Sequence, residues 1–170
     1  IVRTVIDNRR GIDYLETRGD IDVERLAMLG VSMGGIFGGI LAAVEPRIDA
    51  AALIVAGGRW DLLLANSPHP RAQKLQQLGI QSEVVQQAMR VVEPVNFVGH
   101  IAPRPVLMVN GEQDQIIPRV CAEALHEAAN EPKQVIWYED GHVGMTPEVV
   151  GQVIEWLAKQ CGVAAAQPAG

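Results

Sequence analysis

The period of the apolar positions changes several times along the chain, and each change marks an element. Ile1, Val2, Val5, Ile6, Ile12 and Leu15 recur at mostly helical spacing and predict an amphipathic helix over 1–17. No capping residue precedes them, so the start of the chain is expected to have been lost, by processing, choice of expressed segment or an incomplete gene. Gly19-Asp20-Ile21-Asp22 reads as a turn. Arg25–Val31 follows as a strand and Met33–Val44 as a helix of small residues, ended by Pro46. Glycine in a helix costs about 1 kcal/mol relative to alanine. Gly34, Gly35, Gly38 and Gly39 therefore predict close approach of this helix to a sheet, not high helix propensity.

The run Ile48–Ala56 is almost unbroken apolar, the pattern of a parallel strand covered on both faces, and Gly57-Gly58 closes it. Residues 59–100 are less regular and predict a small cap-like insertion. It holds a short apolar segment, Trp60–Ala65, breaks at Pro68 and Pro70, and helices over Arg71–Leu78 and Ser82–Val92, the second capped by Ser82. Pro105–Asn110 is the third strand, Pro118–Ala129 a helix with an early proline, and Gln134–Tyr138 the fourth strand. The last helix, Pro147–Cys161, carries Val150, Val153, Ile154, Leu157 and Cys161 as its apolar stripe. Gly162 ends it, and a disordered tail is expected over 162–170. Strand–helix alternation at this spacing predicts one α/β domain over 1–161, a parallel sheet flanked by helices.

Composition narrows the function classes. The chain has 170 residues, 48% hydrophobic and 20% charged, which is ordinary for one globular domain. A net charge of −6 without a basic cluster argues against nucleic acid. No apolar run is long enough for a membrane span and no signal peptide is visible. Cys121 and Cys161 have neither metal spacing nor a disulfide pattern, which predicts helix packing in a reducing, cytoplasmic compartment. No G-x-G-x-x-G follows a strand and no metal-ligand cluster stands out, so no cofactor is predicted.

The chemistry centres on Gly30-Val31-Ser32-Met33-Gly34, a G-x-S-x-G pentapeptide between a strand and a helix. Such a turn lifts the serine hydroxyl clear of the sheet, with glycines leaving room for backbone on both sides. The helix N-terminus behind it favours negative charge, as acyl transfer requires. In an open parallel sheet the partners must come from loops after the strands. Asp114 lies in the loop after the third strand, with Glu112 as its rival, and either alone would read as a helix cap or a solvated charge. His142 stands near Gly141 and Gly144 after the fourth strand, whereas His69, His100 and His126 read as surface or packing residues. The order Ser32, Asp114, His142 is that of the α/β-hydrolase triad.

On these residues the chain resembles the α/β-hydrolase superfamily, most closely bacterial serine esterases of the dienelactone-hydrolase-like and acyl-peptidase-like branch. The likeness is carried by Gly30–Gly35, by Arg104–Gly111 with Asp114 and Pro118, and by Gly141-His142. It implies Ser32 as nucleophile, His142 as base then acid, Asp114 as the orienting carboxylate and the Met33 N–H as an oxyanion donor. It implies hydrolysis of a small-molecule ester, with a thioesterase, peptidase or acyltransferase, or an inactive or complementation-dependent piece, as alternatives. Trp60, Leu62, Leu63, Met89 and Phe97 are candidates for an acyl-binding wall, with core packing expected for about half of them. The family fold has eight strands, and only the last four are accounted for here. The serine strand would then be an unpaired edge, open to a second copy or a complementing segment.

Overall fold

The computed structural model describes residues 1–66, 68 and 70–163. His69 and the tail from 164 onward lie outside the described residues. In chain order the elements are α1 (Val2–Glu16), β1 (Leu26–Val31), α2 (Met33–Val44), β2 (Ile48–Ile54), α3 (Trp60–Asn66), α4 (Pro70–Gln77), α5 (Ser82–Met89), three short 3₁₀ turns (Arg90–Val92, Pro94–Asn96 and Val98–Ile101), β3 (Val106–Gly111), α6 (Arg119–Ala128), β4 (Lys133–Tyr138) and α7 (Pro147–Gln160). The four strands are all parallel, in the order β1-β2-β3-β4. Val31 pairs with Ile54 and Gly111 with Tyr138, so all four carboxyl ends share one rim.

Alternation along the strands sorts the core into two layers. Ala51, Leu53, Val106 and Met108 meet Ile36 and Ile40 of α2 and Leu125 of α6 on one face. Ala52, Ile54, Leu107, Val109 and Tyr138 meet Val149 and Val153 of α7 on the other. This is the α/β arrangement expected, with helices on both sides.

The glycines of α2 let it lie almost on the strands. A Cβ at Gly35 would come within 2.9 Å of the Ala56 Cβ, and one at Gly38 would overlap the Met28 side chain. Gly34 is different: a Cβ there meets nothing within 4 Å. The crowding of the pentapeptide falls on Gly30 instead, where a Cβ would overlap the Gly34 carbonyl.

Two local readings are corrected. Ser82 does not cap α5. Gln81 is the N-cap residue, and the Ser82 hydroxyl donates to Asp61 at 3.1 Å. Asp61 also accepts from Gln86 and a forked pair from Arg59, which ties α5 to α3; the Arg59 guanidinium holds its carboxyl well below the usual range. In α7 the core stripe is Val149, Val153, Trp156 and Leu157, while Val150 and Ile154 are 37% and 54% exposed. A helix with apolar residues over more than one stripe takes the phase its sheet imposes, and here the sheet takes the neighbouring stripe.

β1 is an open edge among the described strands. Leu29 and Val31 register with Ala52 and Ile54 on the α7 face and are 50% and 53% exposed. The Ser32 N–H donates to Ile54 at 2.8 Å. By alternation, the backbone groups of Leu29 and Val31 point outward, away from β2.

The opposite end of the sheet is held by charge. The Glu45 side chain is 1% exposed and accepts from Arg9 at 3.0 Å and from the Arg47 guanidinium at 2.7 Å, while Arg47 also reaches Asp13 and Glu16 at 2.8 Å each. Arg104 donates to the carbonyls of Ala42, Glu45, Ile48 and Ile101. The Arg47 bonds, and less strongly those from Arg9, outweigh burial and lower the Glu45 carboxyl to about 2. Its contribution to stability is therefore complete above the unfolded carboxyl range and is lost as pH falls toward 2. Glu45→Gln is expected to cost about 2–3 kcal/mol at pH 7, with the gap to wild type closing as pH approaches 2. Urea unfolding of both proteins across that range checks it.

Candidate active site

Ser32 sits between β1 and α2 at φ 56°, ψ −119°, outside the helical and extended regions. A non-glycine residue at positive φ carries strain of order 1–3 kcal/mol and persists only where its surroundings fix it. Here the fixing is done by the Ser32 N–H bond to Ile54 and by α2 beginning at the next residue. The first N–H groups of α2, that of Met33 among them, have no partner within the helix. They give the serine's surroundings a positive bias.

Asp114 comes from the loop between β3 and α6, and its side chain is 1% exposed. One oxygen, Oδ1, accepts the N–H groups of Ile116 at 2.8 Å and Ile117 at 2.9 Å. The other, Oδ2, lies 2.7 Å from His142 Nδ1. Glu112, the rival carboxylate, is 45% exposed and lies 3.8 Å from Arg119 instead. His142 comes from the loop after β4, and its Nε2 is 2.9 Å from Ser32 Oγ. The structure thus brings together the three residues that sequence order singled out. A carboxylate can only accept, so its bond to Nδ1 places the proton there. Nε2 is left with a lone pair facing the serine hydroxyl.

The two loops bearing the acid and the imidazole are joined backbone to backbone. Glu112 N–H donates to the Tyr138 carbonyl at 2.9 Å and Gln113 N–H to that of Asp140 at 3.1 Å. The loop of His142 also folds on itself. Asp140 accepts from Gly141 N–H at 2.6 Å, and a Cβ at Gly144 would overlap its carboxyl group.

The five acyl-wall candidates all join or pack against the core cluster, where core packing was expected for about half of them. Trp60 and Leu63 are 6% and 8% exposed within the core, and the Trp60 indole donates to the Val92 carbonyl at 2.9 Å. Met89 packs against the same cluster. Among the described residues no three His, Cys, Asp or Glu side chains group as a metal site. No helix among them is long and apolar enough to cross a membrane.

The family model of the prolyl oligopeptidase family, peptidase S9, matches residues 2–163. The chain belongs to the prolyl oligopeptidase family. This family member is 30% identical over 141 residues to the uncharacterized protein YfhR of Salmonella typhimurium, a match spanning 79% of this chain and 46% of that one. The chain thus spans about half the length of the curated relatives it matches. Among solved structures it is similar to a puromycin hydrolase, with TM-score 0.77 and 19% identity, over 96% of this chain and 26% of that one. It is similar also to an acetyl xylan esterase from Paenibacillus sp. R4, with TM-score 0.74 and 23% identity, over 92% of this chain and 52% of that one. At those identities the two structures speak to the fold, which is that of the α/β hydrolases.

Within this α/β-hydrolase fold, one polar network beside the site has no signal in the sequence. Asn110, 1% exposed near the end of β3, donates to the Ala56 carbonyl at 2.9 Å. Its Oδ1 meets His126 Nε2 at 3.0 Å. Burial lowers His126 to about 4, so the imidazole is neutral at physiological pH and donates through Nε2. Its ring packs edge-on against Trp137, over which the Arg119 guanidinium lies. The reading of His126 as a packing residue agrees with its burial, but its bond to Asn110 joins positions 16 apart that no local pattern relates.

Proposed function

We propose that this chain carries the catalytic centre of a serine hydrolase acting on carboxylic esters. The observation that supports it is the unbroken hydrogen-bonded series Asp114–His142–Ser32, at 2.7 and 2.9 Å. Ser32 Oγ attacks the ester carbonyl while His142 Nε2 takes its proton. The Met33 N–H donates to the oxyanion. Collapse breaks the ester C–O bond and His142 returns the proton to the leaving alcohol. Water then repeats the sequence on the acyl-serine, again through His142. Asp114 keeps the proton on Nδ1 and offsets the charge of the imidazolium.

Ester hydrolysis is preferred to amide hydrolysis because an alkoxide departs with less demand on the acid. A thioesterase, peptidase or acyltransferase would use the same three groups, and acyl esters, thioesters and peptides tested side by side separate them. The open β1 edge favours one further reading, in which turnover requires a second copy or an added strand along it. Cys121 and Cys161 are both free thiols, which supports a cytoplasmic setting.

A fluorophosphonate probe is expected to label the protein once, with the adduct located on Ser32 by peptide mass spectrometry. Absence of labelling at Ser32, alone or after a complementing segment is added, would remove the proposal. Labelling only in the second case would favour the reading that needs an added strand.

A further inference from the structure

Tyr138 is the last residue of β4, and its ring is 4% exposed among Ile54, Leu107, Val109 and Val153. Its hydroxyl donates to the Gly141 carbonyl at 2.8 Å, one residue before His142. The same residue's backbone carbonyl accepts the Glu112 N–H of the loop that bears Asp114. Its ring also lies against the end of β3, since a Cβ on Gly111 would come 3.1 Å from the Tyr138 Cε2 and would overlap the carbonyls of Asp140 and Gly141. One residue, fixed in the core, therefore reaches the loop of the imidazole through its side chain and the loop of the acid through its backbone.

We propose that Tyr138 is a positioning residue: its hydroxyl holds the Gly141 carbonyl down and so sets the distance of His142 from both Asp114 and Ser32. The inference rests on the triad reading above for its catalytic consequence, though not for the geometry itself. Three features specify the hydroxyl rather than the ring. Core packing alone would be met by phenylalanine. The acceptor belongs to the short segment Gly141–Thr146, which reaches α7 without regular structure. Burial, with Asp114 and Asp140 nearby, pushes the phenol above its usual range, so it remains a donor at any pH the protein meets. Displacing a reacting group by about 1 Å costs up to about 100-fold in rate, and a free Gly141 carbonyl gives the loop that latitude.

The test compares wild type with Tyr138→Phe in ester turnover and in the imidazole ¹⁵N shifts of His142. The expected result is a fall in kcat of about 10- to 100-fold with KM little changed. Alongside it, His142 passes from a single Nδ1–H tautomer to a mixture. Wild-type kcat together with an unchanged tautomer would overturn the proposal, as would a fall confined to KM. If wild type shows neither turnover nor labelling, the triad reading fails by itself, and the tautomer comparison still decides the role of Tyr138. Should Tyr138→Phe not fold, difluorotyrosine at 138 in a Tyr14→Phe background serves instead. Its phenol ionises at lower pH and can then no longer donate. The His142 tautomer is expected to become mixed as that phenol titrates, and persistence of a single tautomer would overturn the proposal.

Discussion

Asp114→Asn is expected to lower kcat/KM by about 10⁴ while leaving the fold in place. The reason lies in how Asp114 divides its two oxygens. Oδ1 accepts the N–H groups of Ile116 and Ile117, and an asparagine must present its carbonyl oxygen there to keep both bonds. That choice turns the amide NH₂ toward His142 Nδ1, where Oδ2 now lies 2.7 Å away. Facing a donor, Nδ1 becomes the acceptor and the ring proton moves to Nε2. Nε2 then has no lone pair for the Ser32 proton, although every atom is close to its native place. Turnover of a nitrophenyl ester, with circular dichroism as the control for folding, checks this. A loss below tenfold would show that Asp114 does not set the tautomer.

Gly30→Ala is expected to cost at least about 3 kcal/mol and to leave little soluble protein. The added methyl would overlap the Gly34 carbonyl and come 2.8 Å from the Gly35 nitrogen, both backbone atoms. Neither side can give way. Gly30 is registered opposite Leu53 in β2, and Gly35 already lies against the Gly30 and Ile54 carbonyls. Overpacking against yielding side chains costs about 1–3 kcal/mol, and unyielding backbone belongs at or above the top of that range. A domain's whole stability is about 5–15 kcal/mol. Gly34→Ala, into open space, is the contrast: it is expected to be neutral or to gain up to about 1 kcal/mol from helix propensity. Urea midpoints and soluble yields of the two variants provide the comparison.

The contrast between these two glycines also shows what could be read from sequence. Strand periods, the small-residue helix and the rule that functional groups gather after strand ends were enough to place Ser32, Asp114 and His142 on one rim. Each of those signals is local or topological. What escaped depends on side chains meeting across the fold. The pentapeptide pattern treats Gly30 and Gly34 alike, yet only the first meets backbone. Ser82 has the chemistry of a cap, but Asp61 offers its hydroxyl another partner. Trp60 and Leu63 have the bulk of a pocket wall, but both are buried in the core cluster. The period of α7 was legible but its phase was not, because the sheet selects the stripe. Tyr138 reads only as the end of a strand, since its hydroxyl matters through a bond to a loop carbonyl.

The positive φ of Ser32 restricts which nucleophiles this scaffold can host. A thiol in place of the hydroxyl adds no branch at Cβ, so cysteine is sterically admissible at that corner. Threonine adds strain there, because its extra methyl belongs to the class of side chains least tolerant of positive φ, though the fold does hold one branched residue, Val55, at φ 43°. Evolutionary or laboratory drift at position 32 is thereby biased toward sulfur chemistry over the secondary alcohol, before reactivity enters the comparison.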